Sequence, residues 1–245
     1  MPEQEYLSIK NKADFLIGIF LILITLPFTL LVTAVLIVLF KASPLIAQER
    51  GITMENKIFK IYKFRTMLPK YNRDKDRSEE NIFSKPYLAE YVPLFCRWLR
   101  KRGLDELPQL MNVIKSEMSL IGPRPLLIED LAKIRREDKE SYLLRNKLKS
   151  KPGITGLWQI FGNRSEGITN LITLDSYYEK NKSLSLDLKI ALTTLKVIIK
   201  GEHSDSIILE RKETTKDNSA ALCNTTLGFH RKNFLIESKT PHLRH

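Results

Sequence analysis

Three clusters in this chain carry residue types able to do chemistry. The first is Gly103-Leu104-Asp105-Glu106-Leu107-Pro108-Gln109, with two adjacent carboxylates and a nearby amide at Gln109. Proline is tolerated only in the first turn of a helix, so Pro108 places Asp105 and Glu106 at a helix start. Unpaired N–H groups and the positive end of the helix dipole gather there and favour anions. The pair reads either as ordinary helix-start chemistry or as ionised carboxylates beside a phosphate. The second cluster, Ile121-Gly122-Pro123-Arg124-Pro125, clamps one arginine between two prolines. A stiffly held guanidinium is a planar fork suited to phosphate oxygens, or else the exposed arginine of a structural turn. The third runs Lys151-Pro152-Gly153-Ile154-Thr155-Gly156, then Trp158-Gln159 and Gly162-Asn163-Arg164. Its glycines permit close backbone approach, and Lys151 and Arg164 add positive charge. Asp175, beside Tyr177 and Tyr178, is a further carboxylate whose local pattern reads as a helix surface.

Composition removes several alternatives. The 245 residues carry a formal net charge of +12, so anionic partners are favoured: phosphorylated substrates, nucleic acid or an acidic membrane leaflet. The 4 histidines all lie beyond Gly201, which argues against a Ser-His-Asp triad, a Cys-His pair or a His-rich metal site in the main body. Cys96 and Cys223 form no C-x-x-C pattern and suggest a reducing compartment. Neither glycine loop familiar from nucleotide binding is present, so phosphate recognition must rest on other groups. No recognised nucleic-acid motif accompanies the basic charge, and a nucleic-acid binder remains the rival from another class.

The elements that must position these clusters begin with Phe15 to Phe40, an apolar run without a charge. At about 26 residues and roughly 39 Å it exceeds the hydrocarbon core of a bilayer. Pro27 lies mid-run between Thr25 and Thr29 and predicts a kink. Each half is then too short to cross alone. Lys10 and Lys12 before the run and Lys41 and Arg50 after it place positive charge on both flanks, which favours a return to one face over a kinked span. Ser43 to Gly51 reads as loop and turn. Ile58 to Met67, rich in aromatic and β-branched residues, reads as a strand carrying Lys60, Lys63 and Arg65. Leu68 to Pro86 reads as a charged loop.

Helices are expected over Leu94–Arg102, Leu104–Met118, Leu126–Leu148 and Ser183–Lys200, with Gly156–Gly167 loop-like. The last helix has Leu188, Leu192, Leu195 and Ile199 on one side and lysines near the other. It could lie on a membrane, but core packing is the safer expectation. Beyond Gly201 the chain turns polar and a loose tail is expected. The resulting plan is α+β and mainly helical with little sheet: a membrane segment (1–42), a small globular cytoplasmic domain (43–200) and a tail (201–245).

The order of the apolar run, KIYKFRTM, GLDELPQLMNVIKSEMSLIGPRPLL, KPGITGLWQ and LDSYY…LDLKI resembles the bacterial sugar transferase family over about residues 10 to 200. These are monotopic polyprenyl-phosphate phosphoglycosyl transferases. The resemblance implies a re-entrant helix bent at Pro27 on the cytoplasmic face of the bacterial inner membrane. It implies that Asp105 is the nucleophile on the sugar-linked phosphorus of a UDP-sugar, forming a phosphosugar-enzyme intermediate and releasing UMP. Polyprenyl phosphate, undecaprenyl phosphate in particular, then accepts the phosphosugar as the first membrane step of glycan assembly. It also implies Mg²⁺, with Asp105 and Glu106 as ligands or Glu106 as base. Arg124, Lys63, Arg65, Lys151 and Arg164 are the phosphate-binding candidates, with Gln109 and Asp175 as further site candidates. Membrane lipids are implied partners, nucleic acid is not, and a homo-oligomer is left open. A direct transfer without a covalent intermediate and a catalytically inactive scaffold are the alternatives within this fold. The chain departs from the family pattern at Asn11, Gly103 and Lys151, and in the order Gly162-Asn163-Arg164.

Overall fold

The computed structural model describes residues 2–55, 58–68, 91–163 and 166–201. Most of the Leu68–Pro86 segment, Arg164 and the tail beyond Gly201 lie outside the described residues.

Helix α1 (Glu3–Phe40) is continuous through Pro27 and is the one described helix long and apolar enough to cross a membrane. It starts a dozen residues before the apolar run, and at 38 residues it is about 57 Å along its path. Its buried residues fall in two groups at four-residue spacing, Tyr6, Lys10, Asp14 and Gly18, then Val32, Leu36 and Phe40. Leu23, Ile24, Leu26, Leu30 and Leu31 between them are exposed. Both ends of α1 therefore pack on the globular body while its middle leaves it. Around Pro27, which has no N–H to donate, the Thr25 hydroxyl donates to Leu21 O (2.6 Å) and the Thr29 hydroxyl to Leu26 O (2.9 Å). Such back-bonding weakens the backbone ladder and favours bending.

The two halves are held by different forces. The second packs Val32, Leu36 and Phe40 against Phe64, Val92, Cys96 and Leu99, an apolar cluster shared with strand and helix. Each such side chain contributes about 1.5–3 kcal/mol on burial. The first half is clasped by polar groups. Lys10 Nζ lies 3.0 Å from Asp187 and 3.6 Å from Asp14. The Tyr6 and Tyr178 hydroxyls each donate to Asp187 at 2.9 Å, and the Ser119 hydroxyl donates to Asp14 at 2.6 Å.

Strands β1 (Leu45–Gly51) and β2 (Phe59–Phe64) form an antiparallel hairpin from Leu45↔Phe64 to Arg50↔Phe59. The strand expected at Ile58–Met67 is present, shorter at its end. The loop expected at Ser43–Gly51 is instead β1. Its second half, Gln48-Glu49-Arg50-Gly51, has low strand propensity, so backbone pairing on both edges makes it a strand. Its other edge takes the short β4 (Leu126–Leu127).

Helix α2 (Leu94–Lys101) leads into a 3₁₀ turn (Leu104–Gln109) and α3 (Leu110–Ile114). The single helix expected over Leu104–Met118 is thus tighter at its start, around Pro108, and ends a turn early. Met118 still reaches a core with Phe59, Ile61 and Val113, while Met111 is exposed. The helix expected over Leu126–Leu148 is broken into α4 (Ile128–Glu137) and α5 (Lys139–Asn146) by Asp138. That residue caps α5 by accepting from Ser141 N at 3.0 Å. Strands β3 (Ser119–Ile121) and β5 (Gly153–Thr155) pair in parallel, followed by α6 (Leu157–Phe161) where a loop was expected, α7 (Gly167–Asn181) and α8 (Leu184–Lys200). In α8 the core-facing residues are Asp187, Ile190 and Thr193, and the leucine side faces outward, contrary to the core packing expected for it.

Candidate active site

The carboxylate pair is placed by a reversal of the chain. Gly103 takes φ 67°, a left-handed conformation that costs glycine little and other residues more. Its N–H donates to Arg100 O at 3.0 Å, ending α2, and its carbonyl accepts from Glu106 N at 3.2 Å, starting the 3₁₀ turn. Asp105, Glu106 and Gln109 are all buried. Lys63, on β2, donates to a Glu106 carboxylate oxygen in a short, largely buried ion pair. This pairing satisfies the charge of Glu106 without water and ties the turn to the hairpin.

Two more residues of α2 flank the pair. Burial pushes the Cys96 thiol up to about 11, with the negative charge of Asp105 adding to the rise and Arg100 opposing it. Cys96 is therefore a protonated neighbour of both groups and no nucleophile. Arg100 donates to the Thr66 hydroxyl at 3.2 Å, while its buried Nε has no hydrogen-bond partner in the structure. A buried guanidinium N–H without a partner is costly and points to a ligand group that completes it. Sequence reasoning missed Arg100. The available signal was an arginine five residues before Asp105, in the last turn of a short helix ending at the carboxylate turn.

The other expected site residues have identifiable anchors. Arg65 donates through Nε to Ser43 O (2.8 Å) and its N–H to Pro44 O (2.7 Å), stapling β2 to the segment after α1. Lys151 Nζ reaches Asn11 on α1 at 2.9 Å. The glycines of the second and third clusters approach each other. Gly122 N donates to Thr155 O (3.0 Å) and Gly153 N to Pro123 O (2.9 Å). A Cβ on Gly122 would overlap the Lys151 carbonyl, and one on Gly156 the Gly122 carbonyl. The two loops are thereby fixed backbone to backbone.

Arg124 sits on a turn held from below. Its N–H donates to Asp175 (3.4 Å) and its carbonyl accepts from Arg145. Asp175 is a buried residue, contrary to the surface reading of its local pattern, and pairs with the fully buried Arg145 at 2.8 Å. Arg145 Nε donates to Ile52 O at 2.7 Å, so each guanidinium nitrogen has an acceptor. Burial raises the Asp175 carboxyl and lowers the Arg145 guanidinium, and their ion pair opposes both shifts. Beside this turn the buried Asp130 has a carboxylate oxygen without a partner. Burial raises it to about 6, against the pull of Arg50 and Arg124.

Residues 5–201 match the family described as Bacterial sugar transferase. This chain belongs to that family. Relatives include an undecaprenyl-phosphate galactose phosphotransferase of Salmonella typhimurium, 31% identical over 204 residues that make up 78% of this chain and 40% of that protein. An undecaprenyl-phosphate glucose phosphotransferase of Komagataeibacter xylinus is 33% identical, covering 80% of this chain and 37% of its own. The exopolysaccharide production protein ExoY of Sinorhizobium fredii is 34% identical, with 77% and 84% covered. The chain thus spans about two fifths of the first two relatives and most of the third.

Within this family member, Lys63 and Glu106 are joined directly, and Asp105 is adjacent through the turn. Arg50 and Lys63 stand at opposite ends of the hairpin, opposite Phe59 and Ile46 respectively. Four ladder steps separate those positions by about 13 Å. Asp130, beside Arg50, therefore belongs to a second neighbourhood around the Arg124 turn. Among the described residues no three His, Cys, Asp or Glu side chains converge as a metal site.

Proposed function

We propose that this chain transfers a sugar 1-phosphate from a UDP-sugar to a polyprenyl phosphate, undecaprenyl phosphate in particular, with release of UMP. The observation that carries the reading is the buried Asp105–Glu106 pair, met by Lys63 and lying beside an Arg100 whose Nε lacks a partner. The names of the undecaprenyl-phosphate galactose and glucose phosphotransferase relatives support transfer of a sugar phosphate to a polyprenyl phosphate.

A carboxylate oxygen of Asp105 attacks the phosphorus bonded to the sugar. The bond from that phosphorus to the bridging oxygen breaks, and UMP leaves with the electron pair. A phosphate oxygen of the lipid then attacks the same phosphorus, the Asp105 acyl phosphate bond breaks, and a sugar-diphosphate lipid departs. Splitting the reaction lets a soluble donor and a membrane acceptor use one site in turn. Lys63 holds Glu106 in place and offsets its charge, and the guanidinium of Arg100 supplies cationic N–H groups where the donor phosphates gather.

Mg²⁺ fits this donor set. It is commonly bound by one or two carboxylates together with substrate phosphates, and Asp105 and Glu106 would hold it. When bound it offsets phosphate charge on the leaving UMP.

The working location is the cytoplasmic face of the bacterial inner membrane. Support for a re-entrant α1 comes from its two buried ends, its exposed apolar middle and Pro27 between them. The test is UMP release from a panel of UDP-sugars with Mg²⁺ and polyprenyl phosphate. The proposal expects one or a few donors to yield UMP with the wild type and none with Asp105→Asn. UMP release that survives Asp105→Asn unchanged would overturn it.

A further inference from the structure

Asp130 stands in the first turn of α4, just after β4, and is 6% exposed. One of its carboxylate oxygens is buried and meets no hydrogen-bond donor. The backbone around it is fixed from several directions. Arg50 and Gly51 on β1 pair with Leu127 and Leu126 on β4. The Arg50 guanidinium donates to Pro125 O at 3.4 Å and to Gln48 at 3.1 Å, which sets it against the Arg124 turn. Arg124 itself is held through its backbone by Asp175 and Arg145. The next residue of α4, Leu131, is fully buried, so the helix start cannot swing to relieve Asp130. A buried acceptor left open costs stability, and groups kept at such a cost concentrate at functional sites.

The charges around Asp130 decide what can fill the gap. Arg50, Arg124 and Lys133 favour its ionised form, while burial and Glu129 oppose it. The carboxyl titrates at about 6, so it carries its charge at neutral pH. A further cation would be repelled by the two arginines, and an anion by the carboxylate. The complementary partner is an uncharged O–H or N–H. Polyprenyl phosphate brings an anionic phosphate and hydrocarbon, and so has no such group to give. A UDP-sugar has several: the uracil imide N–H, the ribose hydroxyls and the hydroxyls of the sugar. Arg124, the phosphate-binding candidate of this turn, brings the donor within reach of Asp130. The position of Arg50 on the hairpin is about 13 Å from that of Lys63, so the contact falls away from the reacting phosphorus.

We propose that Asp130 is a donor-recognition residue: its open carboxylate oxygen accepts a hydrogen bond from an uncharged O–H or N–H of the UDP-sugar. The inference rests on the reading of the chain as a UDP-sugar phosphoglycosyl transferase. Its consequence is selectivity. A nucleotide sugar that lacks the matching group leaves a buried charge unfilled, and a site built for a hydrogen bond rejects such a ligand strongly. Because the fold holds Asp130 in place beforehand, the bond forms without reordering the site.

The experiment uses the full chain in nanodiscs with Mg²⁺ and the UDP-sugar that releases UMP with the wild type. Binding is measured by calorimetry on an Asp105→Asn background, where the donor is held without turnover. Asp130→Leu is expected to weaken donor binding by about 10- to 100-fold, the effect of losing a hydrogen bond to a charged group. Asp130→Asn keeps one acceptor oxygen and should lose less. Both variants should melt no lower than their parent at pH 7.5, which separates lost recognition from lost fold.

Donor analogues then separate a direct contact from an indirect one. Uracil is methylated at N3, and each hydroxyl of the ribose and the sugar is replaced in turn by hydrogen or fluorine. One analogue is expected to bind the Asp130 protein at least tenfold more weakly than the parent donor does, and the Asp130→Leu protein no more weakly. That non-additivity identifies the group that meets Asp130 and assigns it to the nucleoside or to the sugar. Donor binding unchanged by Asp130→Leu would overturn the inference while the proposed reaction stands. Losses that simply add for every analogue would overturn it as well, because the residue would then act through the fold alone. A wild type that releases UMP from no UDP-sugar would remove the reaction, and the inference with it.

Discussion

Two neighbourhoods of buried carboxylates in this protein look alike in composition and differ in completeness. Around Asp175, the partner Arg145 is fully buried and each of its guanidinium nitrogens meets an acceptor: Ile52 O, Asp175 and Arg124 O. The Arg145 guanidinium has no nitrogen left to offer a substrate. Around Asp105 and Glu106, Lys63 covers one oxygen of Glu106, while the neighbouring Arg100 keeps a buried Nε without a partner. The first arrangement is saturated and serves the fold by setting the Arg124 turn. The second keeps one unfilled buried N–H, at Arg100 Nε, which the proposed function assigns to phosphate. Under the proposed function, the hydrogen-bond satisfaction of the two arginines, Arg145 against Arg100, separates a role in architecture from a role in chemistry.

Substitutions can break this contrast in opposite directions. The largest effect is expected from Asp105→Asn, which removes the proposed nucleophile and should lower turnover by about 10⁴-fold or more. Its urea midpoint should stay close to wild type, since the isostere keeps the shape of the turn. Asp175→Ala should do the reverse. It strands the Arg145 charge in the interior at a cost of about 3–5 kcal/mol, read as a lower urea midpoint. Any activity that remains in the folded fraction should be close to normal per molecule.

Lys63→Met sharpens the contrast from the site side, because it uncovers Glu106 in a buried setting. A fall in kcat of roughly 10²-fold is expected in the folded protein, together with a loss of about 3 kcal/mol of stability from the stranded carboxylate. Asp130→Asn is the smallest and has a pH signature. The folded carboxyl titrates at about 6 against an ordinary 3.8, so the folded state binds the extra proton between those values. Stability therefore falls as pH rises through that window, and the penalty is complete above it. Removing the charge should stabilise the protein at pH 7.5 by on the order of 2 kcal/mol and change little at pH 4. Thermal melts at the two pH values check this.

How much of this was legible in the sequence follows from the range of the forces involved. The apolar run of α1, strand β2, helix α2 and the extent of α8 are set by local pattern, and each was readable. Pro108 alone located the carboxylate pair in a tight first turn. Strand β1 was not readable, because Gln48, Glu49 and Arg50 become a strand only through pairing with β2 and β4. The fate of Asp175 depended on Arg145, 30 residues away, and no local pattern announces such a partner. The direction of α8 was hidden for a related reason. Ile190 and Thr193 pack inward as well as the leucines would have, and contacts of Asp187 with α1 decide which side wins. Arg100 escaped notice because its role is visible only as an unfilled hydrogen bond.

The central claim is that Asp105 carries the sugar phosphate, and intact-protein mass measurement tests it most directly. The full chain in detergent or nanodiscs is mixed with its UDP-sugar and Mg²⁺ without lipid acceptor, then quenched in acid within milliseconds. The account predicts a protein population heavier by one sugar phosphate, with matching UMP, absent from Asp105→Asn and lost when polyprenyl phosphate is added. UMP appearing only with the lipid acceptor, and never an adduct on the protein, would contradict it and favour direct transfer.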